Sequence, residues 1–255
     1  MPPAHRHSVK ERTRPVELPK LRCVGHKGAD SVVPGNTRES FEAAVSLGVD
    51  TIEFDVLRVA DGRLVLAHDS DDAATRTPLA LDDALDLFAG ERYRDVELDV
   101  DVKRPGYERE VVTALRDRGL IERSLVSSTY RESLDLVGEL EPGLRRGWSL
   151  PRAERDYTQM ALFKLPARAF MLGMRAWLPT AAQRALRARR CEAVMAHHGL
   201  VGPRLVAAVH SEGGLLYSWT VDERDRIEAL AAMGVDGVIT GDPELFRHSL
   251  PAAGS

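Results

Sequence analysis

Acidic and histidine residues are concentrated in the stretch 53-EFDVLRVADGRLVLAHD-69. Glu53 and Asp55 are separated by one apolar residue, and His68 follows a D-G turn. Because alternate residues of a β-strand point to the same face, the two carboxylates would project together. Pointing them inward is costly unless a cation or a proton neutralises them. The stretch therefore predicts a charged site, with a solvated edge strand as the alternative.

A second acidic strand is predicted at 97-ELDVDVK-103. Its alternation places Glu97, Asp99, Asp101 and Lys103 on one side. If both strands end at the same rim, their carboxylates converge, and such hard oxygen ligands suit Mg2+ or Ca2+ better than zinc. Glu97 and Asp99 lie deeper along the strand and are interpreted as polar fillers or as outer support for the ligands.

A histidine and a lysine follow the first candidate strand in 25-GHKGAD-30. His26 and Lys27 would stand at the carboxyl rim, where barrel enzymes build their active sites. Together with His68, His26 would make a general acid and general base pair for a phosphoester. Lysines beside them would neutralise the phosphate oxygens.

The order of elements needed to position these residues is visible from Leu21 onward, where short apolar runs alternate with amphipathic helical stretches. This order is typical of a parallel sheet with helical crossovers, and eight such runs predict an α/β fold of the (β/α)8 TIM barrel type. The D-G turn adds a small hairpin insertion after the second strand. The predicted strands are LRCVG, TIEFDV, DVELDVDV, SLVSS, LRRGWSL, EAVMAH, LLYSWTV and DGVIT.

Helices are predicted at 37–48, 107–119 and 222–234, each of which ends in a glycine. Residues 1–20 are charged and proline-rich without an apolar core, so they are predicted to be a disordered leader and not a signal peptide. With no linker after residue 21, residues 21–255 are predicted to form one barrel domain.

The formal net charge of −4 is too small to steer partners globally, and no nucleic-acid partner is expected. The two cysteines, Cys23 and Cys191, are far apart and predict free thiols in a reducing compartment, which favours a cytoplasmic location. The oligomeric state is left open by the sequence.

The segment 160–190 carries lysine and arginine but no acidic residue, beside aromatic residues and methionines. Its charges and prolines argue against a membrane-spanning helix. Two interpretations are open: an amphipathic crossover or lid between strands five and six, or peripheral contact with a membrane.

Five separate motifs of this chain, in this order, resemble the glycerophosphodiester phosphodiesterases, relatives of the phosphatidylinositol-specific phospholipases C. The resemblance covers most of residues 21–246. The motifs are GHKGA, PGNTRESFEAAVSLGVDTIEFDV, DGRLVLAHD, DVDVKRPG and SWTVDERDRIEALAAMGVDGVITGDPE.

The resemblance implies a role for eight residues, and four positions depart from the family's pattern. Asp101 and Lys27 stand where the family has Glu and Arg, Gly35 replaces the Glu of a Pro-Glu-Asn-Thr turn, and TGD at 240–242 replaces Thr-Asp. The implied roles are acid and base for His26 and His68, metal ligation for Glu53, Asp55 and Asp101, and phosphate or substrate binding for Lys27, Lys103 and Trp219.

The implied reaction is metal-dependent hydrolysis of a glycerophosphodiester to sn-glycerol 3-phosphate and an alcohol. The cation would polarise the phosphate and lower the pKa of the attacking group. That group is either water or a neighbouring glycerol hydroxyl that forms a cyclic phosphate. Two other functions are left open: phospholipase D-like hydrolysis of lysophospholipids at a membrane surface, and a non-catalytic phosphate-binding barrel.

Overall fold

The computed structural model describes residues 21–151 and 164–247. The predicted (β/α)8 barrel is confirmed: eight parallel strands close a ring in which β1 pairs with both β2 and β9. The strands are β1 Arg22–Gly25, β2 Thr51–Arg58, β3 Leu64–Leu66, β4 Glu97–Val102, β5 Ser124–Ser128, β6 Arg145–Leu150, β7 Ala193–His197, β8 Leu215–Trp219 and β9 Gly237–Thr240. Each of the eight predicted strands overlaps one strand of the ring.

Helices surround the ring on its outer face. The helices are α1 Arg38–Leu47, α2 Ser70–Thr75, α3 Leu81–Phe88, α4 Glu108–Asp117, α5 Arg131–Leu140, α6 Lys164–Arg187, α7 Pro203–His210, α8 Arg224–Met233 and α9 Glu244–Arg247. The boundaries of α1 follow directly from sequence. Thr37 caps the amino end by accepting a hydrogen bond from the backbone N–H of Ser40, and Gly48 ends the helix at φ +82°, a conformation that glycine adopts without strain.

The predicted hairpin insertion is formed by β3, which pairs antiparallel with the end of β2. Its turn contains Asp61 and Gly62, and Gly62 has φ +91°. The chain leaves β3 through Ala67 and reaches His68 at the rim of the barrel. The hairpin thus returns this histidine to the carboxyl end of β2, as the sequence predicted.

The main hydrophobic core lies between the ring of strands and the helices. Its aromatic part joins Phe54 of β2 to Phe41, Phe88 and Tyr93, with ring centroids between 4.9 and 6.1 Å apart. Because Phe54 points outward into this layer, its neighbours Glu53 and Asp55 must point into the barrel.

The amino end of the barrel interior is closed by an ionic cluster. Glu97 accepts hydrogen bonds from Arg22, at 3.0 Å, and from Arg145, at 3.0 Å. Of the two interpretations proposed for Glu97, the cluster fits a structural role at the end opposite the predicted site. Burying these charged side chains is costly, and their pairing offsets part of that cost. The cluster lies at the amino end of the barrel, away from the predicted site at the carboxyl end.

Among the described residues, no helix is both long and apolar enough to cross a membrane. The predicted leader at 1–20 lies outside the described residues, as do residues 152–163 and 248–255.

Candidate active site

A cavity of about 250 Å3 opens at the carboxyl ends of the strands. All eight residues predicted from the sequence line it, so the structure brings together side chains that are up to 193 positions apart in sequence, from His26 to Trp219. The residues that line it are His26, Lys27, Glu53, Asp55, His68, Asp99, Asp101, Lys103, Ser127, Thr129, Ser149, Pro151, Met195, Trp219, Thr220 and Ile239.

Three carboxylates form a cluster on the floor of this cavity. Strand pairing between β2 and β4 sets Asp55 directly beside Asp101, and Glu53 lies one inward position deeper. One oxygen from each of the three lies within 4.8 Å of the others. Three hard oxygen donors at this spacing fit a divalent cation such as Mg2+ or Ca2+, which prefers carboxylate ligands.

The surroundings shift the pKa values of Glu53 and Asp55 in opposite directions. Burial, reinforced by the nearby negative charge of Asp55, raises the pKa of Glu53 to about 8. Burial alone would also raise the pKa of Asp55, but the cations Lys103 and Lys27 lower it well below its ordinary value. Asp55 is therefore held as a carboxylate, whereas Glu53 must lose a proton before it can bind a cation.

Lys103 lies between the two paired aspartates. Its Nζ donates hydrogen bonds to Asp55 Oδ1 and Asp101 Oδ2, each at 2.9 Å. Burial opposes the charged ammonium, but Asp101 and Asp55 raise the pKa of Lys103 well above its ordinary value. This lysine is therefore a permanent positive charge in the cavity, within reach of an anionic group placed over the carboxylates.

Asn36 is a supporting residue that the acidic and histidine motifs did not point to. It is fully buried, its Nδ2 donates to Asp55 Oδ2 at 2.9 Å, and its Oδ1 accepts from the backbone N–H of Asp55 at 3.1 Å. The two bonds fix the orientation of Asp55, as outer partners of metal-binding carboxylates do. Its place in the motif PGNT was the available signal.

The loop after β1 brings His26 and Lys27 to the cavity. Lys27 adopts φ +48°, and its backbone N–H donates to Glu53 Oε2 at 2.8 Å. His26 Nδ1 lies 2.9 Å from Asp30 Oδ2, at the other end of the same loop. One short loop therefore holds a histidine, a lysine and the backbone donor for a carboxylate.

His68 enters from the hairpin side and is more exposed than His26. Its Nδ1 lies 3.1 Å from Asp69 Oδ2, and its backbone N–H donates to Asp72 at 3.0 Å. Asp69 also caps α2 by accepting from the backbone N–H of Asp72. Asp69 thus both contacts His68 and caps α2.

Asp99 is buried inside the barrel at the position of β4 that pairs with Glu53. It is 3% exposed. Burial raises the pKa of Asp99 to about 7. Burial therefore favours the neutral acid at this position.

Trp219 lies on the wall of the cavity opposite the hairpin. Its Nε1 donates to the backbone oxygen of Met195 at 3.0 Å, and its ring meets that of His197 edge to face at 5.4 Å. The hydrogen bond fixes the indole, so its apolar face is a rigid part of the cavity wall.

The geometry agrees with three comparisons with known proteins. Residues 26–104 and 148–245 match the model of the glycerophosphoryl diester phosphodiesterase family. A glycerophosphodiester phosphodiesterase of Caldanaerobacter subterraneus subsp. tengcongensis is 28% identical over 92% of this chain and 100% of its own length. A probable glycerophosphodiester phosphodiesterase 2 of Mycobacterium tuberculosis is 27% identical over 91% of each chain.

Solved structures share the fold at lower identity. A putative glycerophosphoryl diester phosphodiesterase of Silicibacter pomeroyi superposes with a TM-score of 0.69 at 22% identity, over 90% of this chain and 94% of its own. A phosphodiesterase of Oleispira antarctica, solved in complex with the product sn-glycerol-3-phosphate, gives a TM-score of 0.67 at 18% identity, over 89% and 96% of the two chains.

Proposed function

We propose that this chain, which belongs to the glycerophosphoryl diester phosphodiesterase family, hydrolyses glycerophosphodiesters to sn-glycerol 3-phosphate and an alcohol with His26 and His68 as its acid/base pair. The family predicted from the five motifs is confirmed. The chain is a phosphoric diester hydrolase. The observation that carries the proposed roles is the meeting of two histidines, three carboxylates and two lysines in one rim cavity.

The two histidines would divide the proton transfers. One takes the proton of the attacking hydroxyl or water through a ring nitrogen, and the other donates a proton to the leaving alkoxide. When water opens a cyclic phosphate, the same two residues exchange roles. Their placement supports this division, because His26 comes from the β1 loop and His68 from the hairpin, on separate elements.

Glu53, Asp55 and Asp101 would hold the divalent cation, and Mg2+ or Ca2+ is the proposed ion. When bound, it would supply positive charge that stabilises the negative charge developing on phosphorus oxygens. Lys27 and Lys103 would neutralise the remaining phosphate charge from within the protein. Asp101 carries the third carboxylate on a shorter side chain than the family's Glu, and the 4.8 Å cluster supports its use as a ligand.

Trp219 would bound the space for the alcohol or glycerol part of the substrate. Its fixed indole supports binding by apolar contact and by exclusion of water. We further propose that residues 21–255 form the single catalytic domain to which all these residues belong.

The direct test is turnover of glycerophosphocholine by the purified protein with Mg2+ or Ca2+, with sn-glycerol 3-phosphate measured by a coupled dehydrogenase. His26→Ala and EDTA should each abolish turnover. His210→Ala is the matched control, because His210 contacts Asp236 at 2.9 Å and does not line the cavity. Turnover that survives both His26→Ala and EDTA would refute the proposed mechanism.

Peripheral membrane contact is proposed for the part of α6 that precedes Leu178. Residues 160–163, and the side chains up to residue 169, lie outside the described part of the predicted segment. Among described side chains, Phe170 is 57% exposed, Leu172 61% and Trp177 48%. Arg175 and Arg204 border a groove of about 510 Å3 beside them. Exposed apolar residues next to arginines fit the interface of an anionic lipid surface.

Sedimentation with vesicles tests this contact. The wild type should sediment at low salt with phosphatidylcholine vesicles that contain phosphatidylglycerol, and the double variant Phe170→Ser, Leu172→Ser should stay in the supernatant. Val32→Ser is the matched control, since Val32 is also exposed but lies in the β1 loop. Wild-type protein that fails to sediment with either vesicle at low salt would contradict the proposal.

The same assays address the two alternatives. Family membership favours neither the lysophospholipid reaction nor a non-catalytic barrel. Release of choline from lysophosphatidylcholine with no turnover of glycerophosphocholine would revive the first. Tight binding of glycerol 3-phosphate without turnover under any of several metals would revive the second.

A further inference from the structure

The short contact between His26 and Asp30 is not used by the function proposed above. His26 Nδ1 lies 2.9 Å from Asp30 Oδ2, with 21% and 23% of the two side chains exposed. A carboxylate can only accept a hydrogen bond, so Nδ1 must carry the proton. The other ring nitrogen, Nε2, is then the one available to the cavity that His26 lines.

The loop that joins the two residues is held in a tight left-handed turn. Lys27 has φ +48° and Gly28 φ +92°. Ser40 of α1 locks the turn, because its Oγ accepts from the backbone N–H of Ala29 at 2.8 Å and donates to the backbone oxygen of Lys27 at 2.9 Å. Asp30 is thereby brought back over the histidine.

Two glycines leave the space that Asp30 occupies. A Cβ at Gly241 would lie 2.3 Å from Asp30 Oδ1, and a Cβ at Gly35 would lie 2.7 Å from the Cβ atoms of both Asp30 and Lys27. These distances are far below a normal contact. The Gly35 contacts are with Cβ atoms, which any residue but glycine carries at positions 27 and 30, so Gly241 is the glycine that makes room for the Asp30 carboxylate itself.

We propose that Asp30 is a positioning residue that holds His26 as the proton acceptor of the first step, with Gly241 making room for its carboxylate. The proposal deepens the function proposed above and rests on it. Asp30 keeps the neutral imidazole protonated at Nδ1 and stabilises the imidazolium after Nε2 has taken a proton from the attacking hydroxyl or water. The proton stays on the histidine, which returns it in the next step.

The charges at the site agree with this assignment. Burial would lower the pKa of His26, but the hydrogen bond to Asp30 and the charge of Glu53 raise it. Burial would raise the pKa of Asp30, but His26 lowers it, so Asp30 is a carboxylate. The second pair is weaker, because His68 and Asp69 are 44% and 50% exposed and Asp69 is shared with the cap of α2.

The first test is the tautomer of His26, read from long-range 1H–15N spectra of the metal-free protein above its pKa. The wild type should show the proton on Nδ1, and Asp30→Asn should shift the population toward Nε2–H. This readout needs no substrate. If the wild type turns over no glycerophosphodiester, the proposed function fails while the tautomer still answers whether Asp30 orients His26.

The second test is a kinetic cycle. Asp30→Asn should lower kcat by about 100-fold with KM changed less than about twofold. Gly241→Ala should cause a similar loss by displacing Asp30, and the double variant should lose no more than either single one. Gly173→Ala, on exposed α6 with no heavy atom within 4 Å of the added Cβ, is the matched control.

Three results would overturn the proposal. They are an unchanged His26 tautomer in Asp30→Asn, an unchanged kcat in that variant, or losses in Asp30→Asn and Gly241→Ala that add. A melting temperature equal to that of the wild type excludes misfolding as the cause of any loss, and Gly241→Ala supplies a second route to the answer if Asp30→Asn does not fold.

Discussion

Asp55 and Asp101 stand at paired positions of neighbouring parallel strands, and the ammonium of Lys103 lies 2.9 Å from an oxygen of each. The lysine compensates two buried or half-buried negative charges. Without it, the two carboxylates would repel each other at positions where they are only 2% and 18% exposed. We therefore expect stability and cation binding to be linked at this point.

Removal of the lysine should destabilise the metal-free protein. Lys103→Met leaves the two aspartates uncompensated, and the free energy of unfolding should fall by about 3 kcal/mol. Added Mg2+ or Ca2+ should restore part of this loss, because the cation replaces the missing charge. Urea unfolding with and without cation measures both effects. Arg187→Met, which removes an exposed ion pair with Glu212, is the control and should cost less than about 1 kcal/mol. Equal losses in the two variants would contradict the argument.

Loss of the Asn36 side chain should weaken cation binding. Asn36→Gly is the suitable change, because φ at this position is +58° and alanine would add backbone strain. Asp55 then loses a side-chain donor and its backbone N–H loses an acceptor, so the dissociation constant for the cation should rise about 10- to 100-fold. Calorimetric titration of the metal measures it, and an unchanged affinity would show that Asp55 needs no support.

Stability of the metal-free protein should fall as the pH rises from about 5 to about 8. In this window the folded state binds more protons than the unfolded state, because the pKa of Glu53 is raised to about 8, that of Asp99 to about 7, and that of His26 is also raised. Each such proton contributes a slope of at most about 1.4 kcal/mol per pH unit.

A divalent cation should oppose this trend, since it competes with the proton on Glu53 and binds better at higher pH. Melting temperatures across the range, with EDTA or with cation, measure the two slopes. Glu53→Gln should flatten the EDTA series, because the glutamine has no proton to lose. A metal-free protein that grows more stable over the same window would contradict the assignment of these pKa shifts.

The two histidines should respond differently to the leaving group. If His68 protonates the leaving alkoxide, His68→Ala should lose about 100-fold or more in kcat on glycerophosphocholine but much less on the p-nitrophenyl diester, whose leaving group needs no proton. Asp30→Asn should lose activity equally on both substrates. The opposite result would be a smaller loss for Asp30→Asn on the p-nitrophenyl diester than on glycerophosphocholine, with equal losses for His68→Ala on both. It would mean that the roles of the two histidines are reversed.

Much of the architecture could be predicted from the sequence because it follows from the alternation of apolar residues along each strand and from the order of strands and helices. The eight strands follow from apolar runs between helical stretches, and the inward direction of Glu53 and Asp55 follows from alternation with Phe54. The position of His68 follows from the turn at Gly62. Strand order then places the ends of β2 and β4 side by side.

The supporting contacts could not be predicted in the same way. Asp30 reaches His26 only because Lys27 and Gly28 take left-handed backbone conformations, which depend on packing against Ser40. Asn36 reaches Asp55 across a similar turn. Such loop conformations are set by contacts between elements, so the hydrophobic periodicity of the sequence does not predict them.

The space around Asp30 also constrains a second loop, the one that follows β9. A Cβ at Gly241 would lie 2.3 Å from Asp30 Oδ1 and 2.5 Å from Ser31 Oγ, so two side chains of the β1 loop require the glycine. The loops after β1 and β9 are therefore mutually constrained, and a larger residue at 241 would need compensating changes at both Asp30 and Ser31.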